Sequence, residues 1–440
     1  LAAAWRERLW VPEATKTDLR LSTGWAASGE HVPVLDPLVR PHWAAANAQV
    51  LRALAPSKQR SSDNNDSALL SLQRTLFHHV QMRRDVHVAL RARCAAEALG
   101  LKQRAPSRSK KVETPEAAVP FGLSPDPWLP VLAAHALGLA LATRRRVLRH
   151  NAKLKKRSVG DDAGAVEDED AMRDQGFTRP RVLMLAPTRG AARAWVATLL
   201  RLLGAAEGAA QVTGLEKFEA DFGAADYDSD DEAEDAEVDP QSLSRAERKG
   251  AEWSEYWGDF VNSDDDFKLG LSLQPGRLGG TSAAARTRVK LYADFYRSDV
   301  IIASPLGLRL LMEKEGTGEG DEGTLDFLSS IELCVVSDAD VCLQQNVEHL
   351  KAVLAGLNAK PREMRDGTDF SRVKQVFLED KGKYYRQTVF LSSHADPTLS
   401  FLFAQSGALV PAYGRALMEE TFGGGGGGDG DKKLGAEALT

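Results

Sequence analysis

Four short apolar segments, each followed by a helix-like segment, most constrain how this 440-residue chain can fold. We predict buried strands at 181–186, 299–303, 332–337 and 387–392. The helices predicted after them span 190–203, 306–314, 341–357 and 399–405. Apolar strands that alternate with helices are typical of a parallel sheet covered by helices on both faces. We therefore predict an α/β fold that presents its functional residues at the carboxyl ends of the strands.

A small polar motif stands at the end of each predicted strand. In chain order the motifs are Ala186-Pro187-Thr188-Arg189, Ala303-Ser304-Pro305-Leu306-Gly307, Val336-Ser337-Asp338-Ala339-Asp340 and Leu391-Ser392-Ser393-His394. The series resembles the PTRELA, TPGR, DEAD and SAT motifs of an RNA helicase lobe. This resemblance implies a RecA-like lobe of the P-loop NTPase type.

The phosphate-binding parts of such a lobe are missing from the sequence. No G-x-x-x-x-G-K-[ST] loop occurs, so the usual cradle for the β- and γ-phosphates is lacking. In the DEAD-like motif, Ser337 takes the first acidic position, where a hydroxyl cannot replace the charge of a metal-binding carboxylate. We predict a non-enzyme without cofactor or metal. Asp338, Ala339 and Asp340 are expected to be structural, with Asp340 tied to the SAT-like loop.

The first two motifs contain candidate contacts for RNA phosphates or a protein partner. Thr188 and Arg189 begin one helix, whereas Ser304, Gly307 and Arg309 begin another. Hydroxyl groups and backbone N–H groups at helix starts bind phosphates well. The same residues are also ordinary helix caps, with Thr188 as an N-cap, and both interpretations remain open.

A further candidate is the segment 290–297, in which aromatic and basic residues alternate. Lys290, Tyr292, Tyr296 and Arg297 have the composition of a surface that stacks bases or binds a peptide. The alternative is an amphipathic helix that docks its apolar side chains on the lobe.

We predict three regions along the chain. Residues 1–110 form a mostly helical or irregular region, with a helix or helix pair over 67–97. Residues 111–410 form the lobe, which includes a long helix at 127–156 and disordered acidic insertions near 161–170 and 226–239. Residues 411–440 form a glycine-rich flexible tail.

Composition excludes few functions. A formal net charge of -6 is not that of a generic nucleic-acid binder, although charge is strongly segregated along the chain. The three cysteines, Cys94, Cys334 and Cys342, suit buried positions better than disulfides or zinc. The longest apolar stretch is too short to span a bilayer, so we predict no membrane role.

Longer strings around the motifs are more specific than the motifs themselves. They are 175–183, 259–270, 289–309, 326–332 and 385–388. Together they resemble the digestive organ expansion factor family of DEAD-box-like proteins associated with U3 small nucleolar RNA. The resemblance implies a nucleolar factor of the small-subunit processome, needed for early pre-rRNA cleavages toward 18S rRNA. It also implies contact with processome proteins, U3 RNA and pre-rRNA, directly or indirectly.

Two other functions remain open at this point. One is a divergent RNA-dependent NTPase or helicase with an unrecognised phosphate site, and the other is a simple RNA-binding module. A second RecA-like lobe, which usually follows the first, is not recognisable, because the sequence becomes glycine-rich soon after Tyr413. We therefore expect that lobe to be absent.

Overall fold

The fold was analysed in a computed structural model of the chain. It describes residues 5–10, 35–43, 73, 76–89, 126, 128–158, 172–223, 262–276, 286–316, 325–362, 368–405 and 415–420. Cys94, both predicted acidic insertions and the run of glycines in the predicted tail lie outside these residues.

The described residues build one ten-stranded sheet. In chain order the strands are β1 (Trp5–Trp10), β2 (Asp85–Ala89), β3 (Val182–Leu185), β4 (Ala210–Thr213), β5 (Lys268–Gln274), β6 (Thr287–Leu291), β7 (Val300–Ala303), β8 (Leu333–Val336), β9 (Gln387–Ser392) and β10 (Arg415–Glu420). Across the sheet they are ordered β1-β10-β2-β9-β8-β3-β7-β5-β6-β4. The strands from β10 to β7 are parallel, and β1 and β5 run against their neighbours.

Besides helical residues at 40–43 and 76–81, eight helices connect or cover these strands in the described part of the chain. They are α1 (Trp128–Ser158), α2 (Arg189–Leu202), α3 (Leu215–Phe222), α4 (Pro305–Gly316), α5 (Ala339–Gly356), the one-turn α6 (Gln375–Leu378) and α7 (Gly382–Tyr385), and α8 (Pro397–Gln405). Three 3₁₀ turns lie at Phe295–Arg297, Asp326–Leu328 and Phe370–Arg372. None of the helices described is both long and apolar enough to cross a membrane.

The sheet is buried on both faces, because successive side chains of a strand point to opposite sides. Along β3, Val182 and Met184 join the core beneath α1, α2 and α3, whereas Leu183 and Leu185 join the core beneath α4, α5 and α8. All four side chains are fully buried. The predicted strand–helix alternation and the helix cover on both faces are therefore confirmed.

Helix α2 shows how local sequence produces this cover. Thr188 has extended backbone dihedrals, and its hydroxyl accepts from the N–H of Ala191 over 3.3 Å, which satisfies a donor of the first turn. Apolar residues then recur three or four positions apart and are buried against the sheet and α1: Ala192, Trp195, Val196, Leu199 and Leu200. Fully burying each of the larger aliphatic side chains stabilises the fold by roughly 1.5–3 kcal/mol.

Two predictions about secondary structure are wrong. The helix predicted over 67–97 ends near residue 81, and Asp85–Ala89 is strand β2, paired with β9 and β10. Residues 415–420, predicted to be flexible tail, form β10. In both cases, pairing within the sheet overrides the local pattern. For the segment 290–297, the alternative of an amphipathic helix is excluded, since Lys290 and Leu291 end β6 and a 3₁₀ turn follows, although Leu291, Phe295 and Tyr296 do pack on the domain.

Candidate functional site at the carboxyl edge of the sheet

The DEAD-like loop follows β8 and is held by internal hydrogen bonds. The buried hydroxyl of Ser337 donates to the carbonyl of Leu185 over 3.2 Å. Asp340 is also buried, and its Oδ1 accepts from the backbone N–H of Ser393 over 3.3 Å. The expected tie between the last acidic residue of the motif and the SAT-like loop is therefore present. Ala339 is buried in the core.

A further carboxylate lies near this loop, at the start of α1. Asp126 Oδ1 accepts from the backbone N–H of Trp128 over 2.8 Å and caps the helix. Burial raises the pKa of Asp126 to about 6, although helix N–H groups donate to it. The side chain of Asp338 reaches the surface, yet displacement of water around it and the charges of Asp126 and Asp340 raise its pKa as well. Three carboxyl groups therefore converge here.

This arrangement is the reverse of a phosphate site. In a P-loop protein a glycine-rich loop joins a strand to a helix, and the helix N-terminus and a lysine bind the phosphates. Here α1 is the first described helix after β2, and its N-terminal N–H groups donate to the protein's own Asp126. The carboxyl groups of Asp338 and Asp340 lie nearby. Among the described residues no group of His, Cys, Asp and Glu is arranged to hold a metal ion.

The PTRELA-like loop is covered by another part of the chain. The backbone N–H of Arg189 donates to the carbonyl of Asp264 over 2.8 Å, and the N–H of Gly190 donates to that of Asn262 over 2.9 Å. The Arg189 guanidinium pairs with the Asp264 carboxylate at 3.0 Å and donates to the carbonyls of Asp221 and Asp266. Arg189 therefore makes internal contacts in the positions where phosphate contacts were predicted.

The TPGR-like loop is covered in the same way. The buried Ser304 hydroxyl accepts from the N–H of Gly307 over 2.8 Å, so it caps α4. The N–H of Ser304 donates to the carbonyl of Phe267 over 3.1 Å. A Cβ atom on Gly307 would lie 2.6 Å from that carbonyl oxygen, which explains the glycine. Lys268 Nζ also donates to the Gly307 carbonyl over 3.3 Å.

One stretch of chain, residues 262–268, thus contacts and covers both loops, and we call it the covering segment. Its carbonyl oxygens accept hydrogen bonds from N–H groups that would otherwise be available to the phosphates of a nucleic acid. The sequence Asn-Ser-Asp-Asp-Asp also places carboxylates along this surface. In the sequence, this stretch is recognisable only as part of the family resemblance. Its contacts with the two loops could not be predicted, because every residue type has the backbone carbonyl that makes them.

The SAT-like loop is tied to β2 as well as to α5. The ring of His87 hydrogen-bonds to the Ser392 hydroxyl through Nε2 at 2.9 Å, and that hydroxyl donates to the carbonyl of His394. Burial lowers the pKa of His87 to about 4, so the imidazole is neutral at physiological pH.

The other predicted contact residues lie apart from one another. Lys290 is exposed on β6, and Arg309 is partly exposed on α4, where it pairs with Glu313 at 3.1 Å. The Tyr292 hydroxyl donates to Asp221 over 2.7 Å, and Lys217 Nζ lies 4.5 Å from the centre of its ring.

Tyr296 and Arg297 lie at the opposite, amino edge of the sheet, where they line a cavity. The candidates therefore do not form one surface. Cys334 and Cys342 are buried free thiols, as predicted.

The amino edge also contains a buried ion pair that holds α1 in place. Arg372 donates to both carboxylate oxygens of Asp174, with distances of 3.1 Å to Oδ1 from Nε and 2.8 Å to Oδ2 from Nη2. Only 7% of the Arg372 side chain and none of that of Asp174 is exposed. Arg372 also donates to Asn151 and the carbonyl of Val147, both on α1.

The mostly parallel sheet, with helicase-like loops at its carboxyl edge, defines an NTP hydrolase-like α/β domain. The sequence profile described as "UTP25, NTP hydrolase-like domain" matches residues 126–409, and the chain belongs to that family.

Curated relatives share this region. "U3 small nucleolar RNA-associated protein 25" of Arthroderma benhamiae is 36% identical over 274 residues, which cover 61% of this chain and 31% of that protein. The homologue of that name from Xenopus tropicalis is 35% identical over 274 residues, covering 62% and 31%. The one from Homo sapiens is 34% identical over 275 residues, covering 62% and 32%. The matched region thus spans about a third of these relatives.

Proposed function

We propose that the chain is a non-catalytic, DEAD-box-like scaffold of the small-subunit processome. In this role it supports early pre-rRNA processing and 18S rRNA maturation in the nucleolus. Its partners are processome proteins, together with U3 small nucleolar RNA and pre-rRNA, contacted directly or through those proteins. The proposal is supported by family membership and by relatives whose names describe association with U3 small nucleolar RNA.

The observation that carries the non-catalytic part is Asp126 at the N-terminus of α1. Its carboxylate takes the backbone donors that a phosphate would need, and Asp338 and Asp340 add negative charge nearby. Ser337 donates to a carbonyl instead of facing a metal. A triphosphate bound here would need an additional source of positive charge.

We also propose that the sheet is a RecA-like lobe. The support is its run of parallel strands, in which β8 and β9, which carry the DEAD-like and SAT-like motifs, are neighbours. The division of the chain into regions 1–110, 111–410 and 411–440 stays a prediction. Strands β2 and β10, which come from the first and last of these regions, pair within the sheet.

An equilibrium titration with ATP and Mg²⁺ tests the proposal against a divergent NTPase. We expect no saturable binding in the micromolar range and no turnover with or without single-stranded RNA. Asp338→Ala should behave like the wild-type chain, because Asp338 has no nucleotide to act on. Micromolar affinity with RNA-stimulated hydrolysis would refute the scaffold and favour the enzyme.

Association with U3 RNA is tested by precipitating the tagged chain and quantifying U3 RNA by reverse transcription. Lys290 and Arg309 have side chains exposed at the surface, so Lys290→Ala/Arg309→Ala probes them as contact residues. Recovery of U3 RNA at wild-type levels would assign association to other surfaces of the scaffold. Failure of the wild-type chain to recover U3 RNA above background would count against the proposed role.

A further inference from the structure

The amino edge of the sheet contains a cavity of about 520 Å³ that the helicase-like motifs do not reach. It lies between α1 and the residues that precede β3 and β7. Four arginines contribute to its lining: Arg144, Arg179, Arg181 and Arg297. Two aspartates, Asp294 and Asp299, also contribute. The lining is therefore rich in positive charge, in contrast to the acidic carboxyl edge.

Two of the arginines are already neutralised and fixed in place. Arg179 donates to both oxygens of Asp299, with distances of 2.9 and 2.6 Å. Arg181 is buried and its Nε lies 3.3 Å from a carboxylate oxygen of Glu332. These ion pairs build a rigid wall and leave little free positive charge of their own.

The other two arginines are not engaged in ion pairs of this kind. Arg144 Nε is enclosed by protein and has no hydrogen-bond partner among the described residues. Partial burial and the nearby Arg179 lower the pKa of Arg144, and the charge of Asp299 offsets this only in part, so an incoming anion would stabilise the charged guanidinium. Arg297 is exposed at the rim, and its guanidinium makes no ion pair with the described part of the chain.

Helix α1, which forms one side of the cavity, is itself strongly basic. It contains eight lysines and arginines and no acidic residue. The helix dipole accounts for cations in its last turn, but Arg144 and Arg146 lie about three turns earlier. Arg146 and Arg149 are exposed, but with 3.6 residues per turn they lie on the face of α1 turned away from Arg144 and the cavity. They add to the positive potential around the helix and do not line the cavity.

The aromatic lining favours nucleic acid over an acidic peptide. Phe177 and Tyr296 are half-exposed at the cavity. Aromatic faces next to arginines stack on bases, a contact that an acidic peptide does not use. We propose that this cavity binds single-stranded RNA, with Arg144 and Arg297 contacting its phosphates. This site lies at the edge opposite the helicase-like loops and does not depend on the proposed processome role.

The test measures binding of the 440-residue chain to a fluorescein-labelled oligouridylate by fluorescence anisotropy. Arg144→Gln/Arg297→Gln should raise the Kd at least tenfold. It should also reduce the slope of log Kd against log salt by about 1.4, since each phosphate contact to a single strand contributes about 0.7. The matched control, Lys351→Gln/Lys381→Gln, removes two exposed positive charges that do not line the cavity and should leave the Kd within about twofold.

Arg144→Lys/Arg297→Lys keeps the charge and should retain most of the affinity, which separates lost contacts from misfolding. Equal Kd and slope for the Gln variant and the wild type would overturn the proposal. An equal loss in the control would also overturn it, because net charge would then explain binding. Binding to fluorescein-labelled poly-glutamate is measured in the same way. If Arg144→Gln/Arg297→Gln loses poly-glutamate binding while its RNA binding stays intact, the site is a protein-docking site and the proposal is overturned. ATP hydrolysis is measured in a separate assay, and its result tests only the proposed non-catalytic scaffold role.

Discussion

The buried pair between Arg372 and Asp174 gives a quantitative test of how the basic helix is held. Arg372→Met removes the bidentate cation and leaves the buried Asp174 carboxylate with His150, whose Nδ1 lies 2.8 Å from Oδ2, as a remaining partner. Breaking a buried pair by removing one partner costs about 3–5 kcal/mol, and the remaining histidine places the expected loss near the lower end of this range. With a urea m-value of about 3 kcal/mol/M, the unfolding midpoint should fall by about 1 M or more.

Urea unfolding followed by tryptophan fluorescence measures this change. Asp174→Asn/Arg372→Met removes both charges, so its loss of stability should be clearly smaller than the sum of the two single changes. The matched control, Lys381→Met, breaks an exposed pair with Glu379 and should leave the midpoint unchanged. A loss below about 1 kcal/mol for Arg372→Met would refute the argument that this pair fixes α1 to the amino edge.

Three further predictions concern the carboxyl edge. Gly307→Ala should lower the free energy of unfolding by about 1–3 kcal/mol in urea melts, because its Cβ would lie 2.6 Å from the Phe267 carbonyl. The pKa of His87 is lowered to about 4, so its stabilising contribution is complete above pH 6.5 and is lost as pH falls toward 4. His87→Gln removes this titration. The free energy of unfolding of the variant should therefore fall between pH 7 and pH 4.5 by up to about 3 kcal/mol less than that of the wild type, as measured from urea midpoints at the two pH values. Arg189→Ala should lower the melting temperature and expose the covering segment to protease, whereas Arg309→Ala should do neither.

The strand–helix alternation around the motifs could be predicted because its cause is local. A buried parallel strand is apolar at every position, as in Val182–Leu185, so its bounds are visible in the sequence within about one residue. The caps Thr188 and Ser304 were also predictable, since their hydroxyl groups act within three residues.

The strands at the other end of the sheet could not be predicted in this way. Asp85–Ala89 contains two polar residues and follows a helical segment, so its local pattern is ambiguous. Only its pairing with β9, about three hundred residues later, makes it a strand. The covering segment was missed for a similar reason, because its contacts with Arg189 and Ser304 run through backbone carbonyls.

The position of β2 in the sheet has a consequence for folding during synthesis. Val86 pairs with Val389, so β2 can pair with β9 only after nearly the whole domain has emerged from the ribosome. Meanwhile β3, β7 and β8 can already assemble, since they pair with one another. Contacts this distant in sequence slow folding and leave apolar surface exposed in the interval. A nascent chain stopped before residue 387 therefore presents an unpaired β8 edge, which is a natural binding site for a chaperone.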